Sequence, residues 1–334
     1  MSESNAVVAS ENCGCSAPRR RLCDECEAGG ASFFACSLAC LDRHRHAAHA
    51  HSAQDSLARV HAQLRAHNRK FSNSWQAYES HRQRLMALIA ELPQGAELCV
   101  FGAGACNDLE LERLAGTFSE IHLLDLDGEA LTRARDRQAP ATRAKIVLHE
   151  RVDASGLLEH LDTWGDRFPE RAELARVAVE AAQSIVHGLG RSFPAVVSTC
   201  LLSQLALPFQ RAWLTSRGNW RDLLSTLSAI HLATLAGSTR AGGRCLLAFD
   251  VASSRDTPAL AEQGERAPDE LAEFVLEAQA AEGLHLRPDP SSLIAQLSSP
   301  GMKSQVSEPE LHAPWLWQRD GDTELVYGLT FAHP

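Results

Sequence analysis

One stretch of this chain constrains its fold more than any other: residues Glu97 to Asp127, which read ELCVFGAGACNDLELERLAGTFSEIHLLDLD. Its first apolar run, Leu98 to Phe101, is typical of a strand buried in a parallel sheet. The turn Gly102 to Gly104 follows directly, and glycines allow a tight turn and close approach of a ligand to the backbone. A second apolar run, Ile121 to Leu124, ends at Asp125. The pattern predicts a strand, a glycine turn, a helix and a second strand, which together begin a Rossmann-like α/β sheet.

The same stretch predicts a ligand site. In open α/β sheets, ligands bind outside the carboxyl ends of the strands, and an acid ending the second strand binds a ribose. We therefore expect an adenosine-type cofactor between the Gly102 turn and Asp125. The dinucleotide fingerprint G-x-G-x-x-G is incomplete, because Asn107 takes the place of the third glycine. Three carboxylates, beginning with Asp108, follow in the next turn and would repel a pyrophosphate, which disfavours a nicotinamide oxidoreductase.

The segments GAGACNDLEL and LLDLD resemble the class I S-adenosylmethionine (SAM) methyltransferases. The resemblance covers residues 93–334 and implies a seven-stranded sheet whose last strand runs antiparallel. It also implies that the glycine turn lies beside the methionine part of SAM and that Asp125 binds the ribose hydroxyls. By this resemblance the cofactor-binding residues would be Phe101, Gly102, Ala103, Gly104, Asn107, Asp108, Asp125, Leu126, Asp153, Ala154, Ser198 and Thr199.

Several of these roles have alternatives. The resemblance places Asp153 beside the adenine amino group, but an aspartate after a strand can equally cap the next helix. Ser198 and Thr199 end the fourth predicted strand, next to Cys200. Cys200 lacks a neighbouring base and the Pro-Cys pair of cysteine-using methyltransferases, so a packed, unreactive thiol is favoured. Asp250 ends the fifth predicted strand as a candidate substrate-facing group, and no catalytic residue is assigned.

Cysteine usage points to a metal in the first 51 residues. Six of the ten cysteines lie between Cys13 and Cys40. The chain shows neither a signal peptide nor an apolar run of about 18 residues, which predicts a cytoplasmic protein with reduced thiols. Clustered cysteines and histidines in that compartment indicate metal before disulfides or a redox centre. Residues 1–51 hold few apolar side chains, so bound zinc would supply the folding energy.

The run FFACSLACLDRH resembles the MYND and HIT zinc fingers, which hold two zinc ions in an interleaved arrangement. That resemblance implies two sets of four ligands. The first set is Cys13, Cys15, Cys36 and Cys40, and the second is Cys23, Cys26, His44 and His49. The first pair has one intervening residue where the families have two. His46 and His51 are alternatives to His49 as the last ligand.

The expected function joins these two parts. Fingers of this kind usually dock proteins, and residues 52–92 predict a helical connector with six basic and three acidic residues. Such a helix could face RNA, but packing on the next domain is the more usual role, and the chain's net charge of −10 disfavours a polyanion partner. We expect a SAM-dependent methyltransferase whose finger recruits a protein or peptide substrate. The alternative is a zinc-finger adaptor with a catalytically silent domain, since no acceptor-activating motif is present.

The zinc hypothesis predicts a metal content. Eight paired ligands should bind two zinc ions, so elemental analysis of chain purified without chelator should give about two zinc per chain. A ratio near zero would contradict the hypothesis.

Overall fold

The computed structural model describes residues 10–12, 21–22, 32–35, 56–71, 74–164, 167–212, 220–264, 266–281, 284, 288–319 and 321–334. Three short N-terminal strands, β1 (Ser10–Asn12), β2 (Arg21–Leu22) and β3 (Ser32–Ala35), form a small sheet in the order β1-β3-β2. The predicted zinc ligands Cys13, Cys15, Cys23, Cys26, Cys36, Cys40, His44 and His49 lie outside the described residues. Within those residues, no group of three or more His, Cys, Asp or Glu side chains could hold a metal ion.

The larger described sheet has eight strands. They are β4 (Glu97–Phe101), β5 (Glu120–Asp125), β6 (Ile146–Glu150), β7 (Phe193–Thr199), β8 (Thr239–Ser253), β9 (Ser307–Leu311), β10 (Trp315–Arg319) and β11 (Asp322–Ala332). Their order is β10-β11-β8-β7-β4-β5-β6, with β9 also paired to β11. The pairs joining β4, β5, β6, β7 and β8 are parallel, and β11 runs antiparallel to β8. The predicted α/β class and antiparallel last strand are confirmed.

The expected strand number needs a correction from seven to eight. β10 pairs with the first part of β11, from Asp322 to Val326, and β9 pairs with its later part, from Leu329 to Ala332. One edge of the long β11 is therefore covered by two short strands in succession.

The helices lie between these strands. They are α1 (Ser56–Lys70), α2 (Glu79–Ile89), α3 (Leu111–Thr117), α4 (Gly128–Asp136), α5 (Pro140–Arg143), α6 (His160–Trp164), α7 (Arg171–Leu189), α8 (Leu207–Ala212), α9 (Trp220–Ser238), α10 (Pro268–Ala280) and α11 (Pro290–Leu297). The connector residues thus form two helices, α1 and α2, on either side of the break that the sequence suggests between Asn68 and Ser74. None of the described helices has the length and apolar character that a membrane crossing needs.

The continuous apolar run of β4 is explained by cores on both faces of the sheet. Cys99 and Phe101 belong to one hydrophobic cluster, and Leu98 and Val100 belong to the other. Successive side chains of a strand point to opposite faces, so a strand covered on both sides must be apolar throughout. Each such side chain stabilises the fold by roughly 1.5–3 kcal/mol on burial. This central position fixes the carboxyl end of β4, where the glycine turn begins.

Helix α2 packs against the edge strand β10 through aromatic contacts. The Trp315 Nε1–H donates a hydrogen bond of 3.1 Å to His81 Nδ1, and the His81 ring stacks on Trp317 with centroids 4.4 Å apart. Desolvation lowers the pKa of His81 to about 3, so the imidazole is neutral and can accept this bond. The contacts place the connector against the sheet and not away from it.

A close backbone approach in β8 generates a stability prediction. A Cβ on Gly243 would lie 2.8 Å from the carbonyl oxygens of Arg240 and Pro194. Gly243→Ala should therefore lower the free energy of unfolding by about 1–3 kcal/mol through this clash. Gly188→Ala is the control: Gly188 lies in α7 with no atom within 4 Å of the added Cβ, so alanine should raise stability slightly. Urea denaturation of both variants checks this, and equal effects would contradict it.

Candidate functional site

The turn after β4 is held tightly to the end of β5. Gly102 and Gly104 have positive φ angles of 71° and 48°, which side chains disfavour. The N–H groups of Gly102 and Ala103 both donate to the carbonyl of Leu124, at 3.0 and 3.1 Å. A Cβ at Gly102 would lie 2.8 Å from the Cβ of Leu201. Conformation and space therefore both require glycine at position 102.

The Asp125 carboxylate joins this turn to the turn after β5. Its Oδ2 accepts a hydrogen bond of 2.9 Å from the N–H of Gly104, and its Oδ1 accepts one of 2.8 Å from the N–H of Asp127. Desolvation raises the pKa of Asp125 to about 6, against the opposing effect of these two bonds. Each carboxylate oxygen can accept a further hydrogen bond, so Asp125 can still receive hydroxyl donors from a ligand.

A pocket with a cavity of about 70 Å³ opens beside Asp125, between the strand ends of β4 and β5, helix α1 and the segment after β7. Half of the predicted cofactor-binding residues line it. These six residues are Phe101, Gly102, Asp125, Leu126, Asp153 and Ala154. These six residues come from the carboxyl ends of β4, β5 and β6. The sheet therefore brings together residues that the sequence analysis assigns to one ligand.

The other six predicted residues do not line the pocket. The Thr199 hydroxyl donates to the carbonyl of Gly102 at 3.3 Å, and Ser198 is fully buried with its hydroxyl 2.8 Å from His231 Nε2. Their places are therefore under the turn and in the core, outside the pocket lining. The remaining four are Ala103, Gly104, Asn107 and Asp108.

Asn107 and Asp108 follow the glycine turn and are both buried. Asn107 Nδ2 donates to the carbonyl of Phe71 at 2.6 Å, while its Oδ1 has no partner within the described structure. Desolvation raises the pKa of Asp108 to about 6, partly offset by the neighbouring Thr199 hydroxyl. A pyrophosphate would meet this carboxylate in a poorly solvated setting, which is unfavourable.

Asp153 serves the turn that follows β6. Its Oδ1 accepts from the N–H and the hydroxyl of Ser155, at 2.9 and 2.6 Å, and its Oδ2 accepts from the N–H of Leu158 at 2.9 Å. These bonds close the turn after β6 and are not those of a helix N-cap, because α6 begins only at His160. Because Asp153 also lines the pocket, its carboxylate remains next to any ligand there.

Ten further residues of the pocket wall are outside the predicted cofactor-binding set, and they include four from α1 and from the segment after β7. Leu64 and Asn68 come from α1, and Leu201 and Gln204 follow β7. The Asn68 Oδ1 would lie 3.7 Å from a Cβ on Gly104, so α1 reaches the glycine turn itself. The signal in the sequence was faint: the helical pattern of residues 52–92 broke near Asn68, with no motif to mark a binding role.

A second polar group lies at the carboxyl ends of β8 and β10. The Ser203 hydroxyl donates to Asp250 Oδ1 at 2.8 Å, and Arg319 lies 3.9 Å from the largely buried carboxylate of Glu324. Desolvation raises the pKa of Asp250 and of Glu324, and the Asp250 charge adds to the effect on Glu324. A raised pKa makes a carboxylate a better proton acceptor.

The neighbouring Cys200 thiol is poorly suited to nucleophilic attack. Desolvation, with Asp250 as the next cause, raises the pKa of Cys200 well above its ordinary value. The reactive thiolate is therefore scarce at neutral pH, as the packed-thiol alternative requires.

The residues of the pocket have the chemistry that an adenosyl ligand needs, but the cavity is too small for it. A glycine turn, an acid able to accept from ribose hydroxyls and apolar walls form a suitable set. The cavity of about 70 Å³ is far smaller than the roughly 300–1,000 Å³ of small-molecule sites. A cofactor could enter only after one wall moves.

Among known proteins, only solved structures are similar to this chain. No protein-family model matches the sequence, and no curated protein matches it. TrmN from Thermus thermophilus is 16% identical, with 74% of this chain and 47% of that chain covered and a TM-score of 0.35. A TehB-like SAM-dependent methyltransferase from Corynebacterium glutamicum is 12% identical, with 80% and 99% covered and a TM-score of 0.38. An rRNA methylase from Streptococcus thermophilus is 11% identical, with 74% and 92% covered and a TM-score of 0.32. With TM-scores this low, the likenesses carry no argument, and function is inferred from the site.

The raised pKa of Asp125 generates a prediction on pH. The ionised carboxylate accepts ligand hydroxyls better than the protonated acid, so affinity for S-adenosylhomocysteine should rise as pH increases through about 6 and then level off. Asp125→Asn should bind weakly and lack this step.

Asp108→Asn is the matched control for that measurement. Burial raises the pKa of Asp108 to about 6 as well, but its carboxylate lies outside the pocket lining, so this variant should keep the step. Calorimetric titrations between pH 5 and 8 (roughly the span around this pKa) distinguish the two. A step lost in Asp108→Asn and kept in Asp125→Asn would contradict the assignment.

Proposed function

We propose that this chain is a SAM-dependent methyltransferase that binds the adenosyl part of its cofactor beside Asp125. One observation carries the proposal: the Asp125 carboxylate lines the pocket and is hydrogen-bonded to the glycine turn after β4. This places an acid and a close-approach backbone together where the strand order of the sheet reverses, between β4 and β7.

The chain's own residues divide the binding work. Asp125 accepts hydrogen bonds from the ribose hydroxyls, and the apolar Leu126 side chain borders the adenine ring. Asp153 keeps its hydrogen bonds to Ser155 and Leu158 and accepts from the exocyclic amine. When bound, SAM supplies a methyl group on a sulfonium. The pocket residues mainly hold and orient it, since in-line positioning supplies most of the catalysis in such a transfer.

A dinucleotide fits this site less well. The third glycine of the fingerprint is replaced by Asn107, whose side chain is buried and bonded to Phe71. The buried Asp108 carboxylate and Glu112 in the first turn of α3 stand where a pyrophosphate would be received. Repulsion between these carboxylates and phosphate favours a cofactor without a pyrophosphate.

The acceptor is proposed to approach from the side of Asp250 and Glu324. These carboxylates have raised pKa values and lie at the carboxyl ends of the strands, so one of them can take up the proton that an acceptor releases. We also propose that two zinc ions in residues 1–51 build a docking module for a protein or peptide acceptor. Its ligands are those given by the finger resemblance.

A second candidate function is an adaptor whose α/β domain catalyses nothing. The small cavity favours it, because about 70 Å³ is well below the volume of sites that hold small molecules. Binding of S-adenosylhomocysteine separates the two candidates: a methyltransferase binds it at one site per chain, and an adaptor with a silent, closed pocket does not.

Two neighbouring acids give the direct test of the proposed site. Asp125→Ala should weaken S-adenosylhomocysteine binding by about 1.5–3 kcal/mol, the range for hydrogen bonds to a charged group. Asp127→Ala should cause no comparable loss of affinity, because Asp127 caps α4 by accepting from the N–H of Ala130 at 3.2 Å and does not line the pocket.

The Asp127 variant should instead lose stability. Removing a cap lowers the free energy of unfolding by about 0.5–2 kcal/mol. Isothermal calorimetry and thermal melting of both variants separate the two effects. Equal losses of affinity would show that the ribose acid has been assigned wrongly.

A further inference from the structure

Helix α1 forms the outer wall of the cofactor pocket. Leu64 and Asn68 line the cavity from α1, and the other walls are strand ends, the segments that follow β6 and β7, and the start of α8. Among the described side chains of α1, only Val60 is buried. Regions in which few side chains are buried, as in the described part of α1, open more readily than the core.

Two polar contacts hold α1 to the start of α4, and we call them the latch. Asn68 Nδ2 donates to Asp127 Oδ2 at 3.0 Å, and Arg69 lies 3.0 Å from Glu129. The charged groups of the second contact are 63% and 57% exposed, so water and salt weaken it. The latch therefore favours the closed position by a small free energy that a ligand can overcome.

The walls opposite α1 offer little room. Leu201 packs so closely on the turn that a Cβ at Gly102 would clash with it, and Phe101 and Leu124 are fully buried strand residues. The cavity of about 70 Å³ must expand severalfold to accept an adenosyl ligand. Helix α1 lies outside the sheet and can move without unpairing its strands.

We propose that α1 is a gate on the cofactor site, closed by the latch in the free chain and displaced outward when an adenosyl ligand binds. The inference rests on the proposed function, because it takes the pocket beside Asp125 as the cofactor site. The latch exists only in the closed state, so every contact in it opposes binding. Weakening the latch then destabilises the free state alone and must increase affinity.

The test uses variants of the ion pair, which lies outside the pocket. Arg69→Ala should bind S-adenosylhomocysteine about two- to fivefold more tightly than the wild-type chain and associate faster, as expected from losing one exposed pair. Glu129→Ala should do the same, and the double variant should gain no more than either single variant, because both remove one contact.

Arg133→Ala is the matched control. Arg133 lies 3.5 Å from the same Glu129, but this pair is internal to α4 and does not reach α1. Its removal should leave affinity and association rate unchanged. Calorimetry measures the affinity of the full chain, and stopped-flow tryptophan fluorescence measures the rate.

The outcomes separate the gate from the cofactor site. Tighter and faster binding in Arg69→Ala and Glu129→Ala, with Arg133→Ala unchanged, supports the gate. Equal or weaker binding in the latch variants, while the wild-type chain binds, overturns the gate and leaves the cofactor site standing. Failure of the wild-type chain and all variants to bind overturns the proposed function and the gate with it.

Discussion

The hydrogen bonds of one carboxylate organise the site. Asp125 ends β5 and accepts from the backbone N–H groups of Gly104 and Asp127, so one side chain fixes the turn after β4 and the turn after β5. Without it, two loops at the reversal point of the sheet would lose their common anchor. The same carboxylate is the group through which the site would hold a ribose, so structural and binding roles coincide there.

The glycine turn is also supported from the side of α2. The Arg82 guanidinium is buried and donates to the carbonyls of Trp75 and Asn107, at 2.9 and 2.7 Å, while lying 3.6 Å from the centre of the Trp75 ring. Charge-assisted bonds of this kind are about twice as strong as neutral ones. Residues 52–92 are therefore more than a connector. Helix α2 stabilises the glycine turn through the bond from Arg82 to Asn107, and α1 covers the pocket.

The sequence predicts the centre of the fold well and its periphery poorly. The apolar run of β4, the glycine turn and Asp125 are local signals, and the structure places them as the pattern requires. Asn68 lines the pocket only because of the way in which α1 packs on the rest of the domain. The periodicity of apolar residues in the sequence does not determine that tertiary contact. Ser198 shows the converse. As a polar residue at a strand end it is predicted to bind the ligand, but successive side chains of a strand point to opposite faces, and that of Ser198 points into the core, where it contacts His231.

The proposed function depends most on the identity of the ligand that Asp125 and the glycine turn bind. The measurement that tests it most directly is a calorimetric titration of the full chain with S-adenosylhomocysteine and, separately, with NAD. The account predicts saturable binding of S-adenosylhomocysteine at one site per chain and none of comparable strength for NAD. Preference for NAD, or no binding of either, would contradict it.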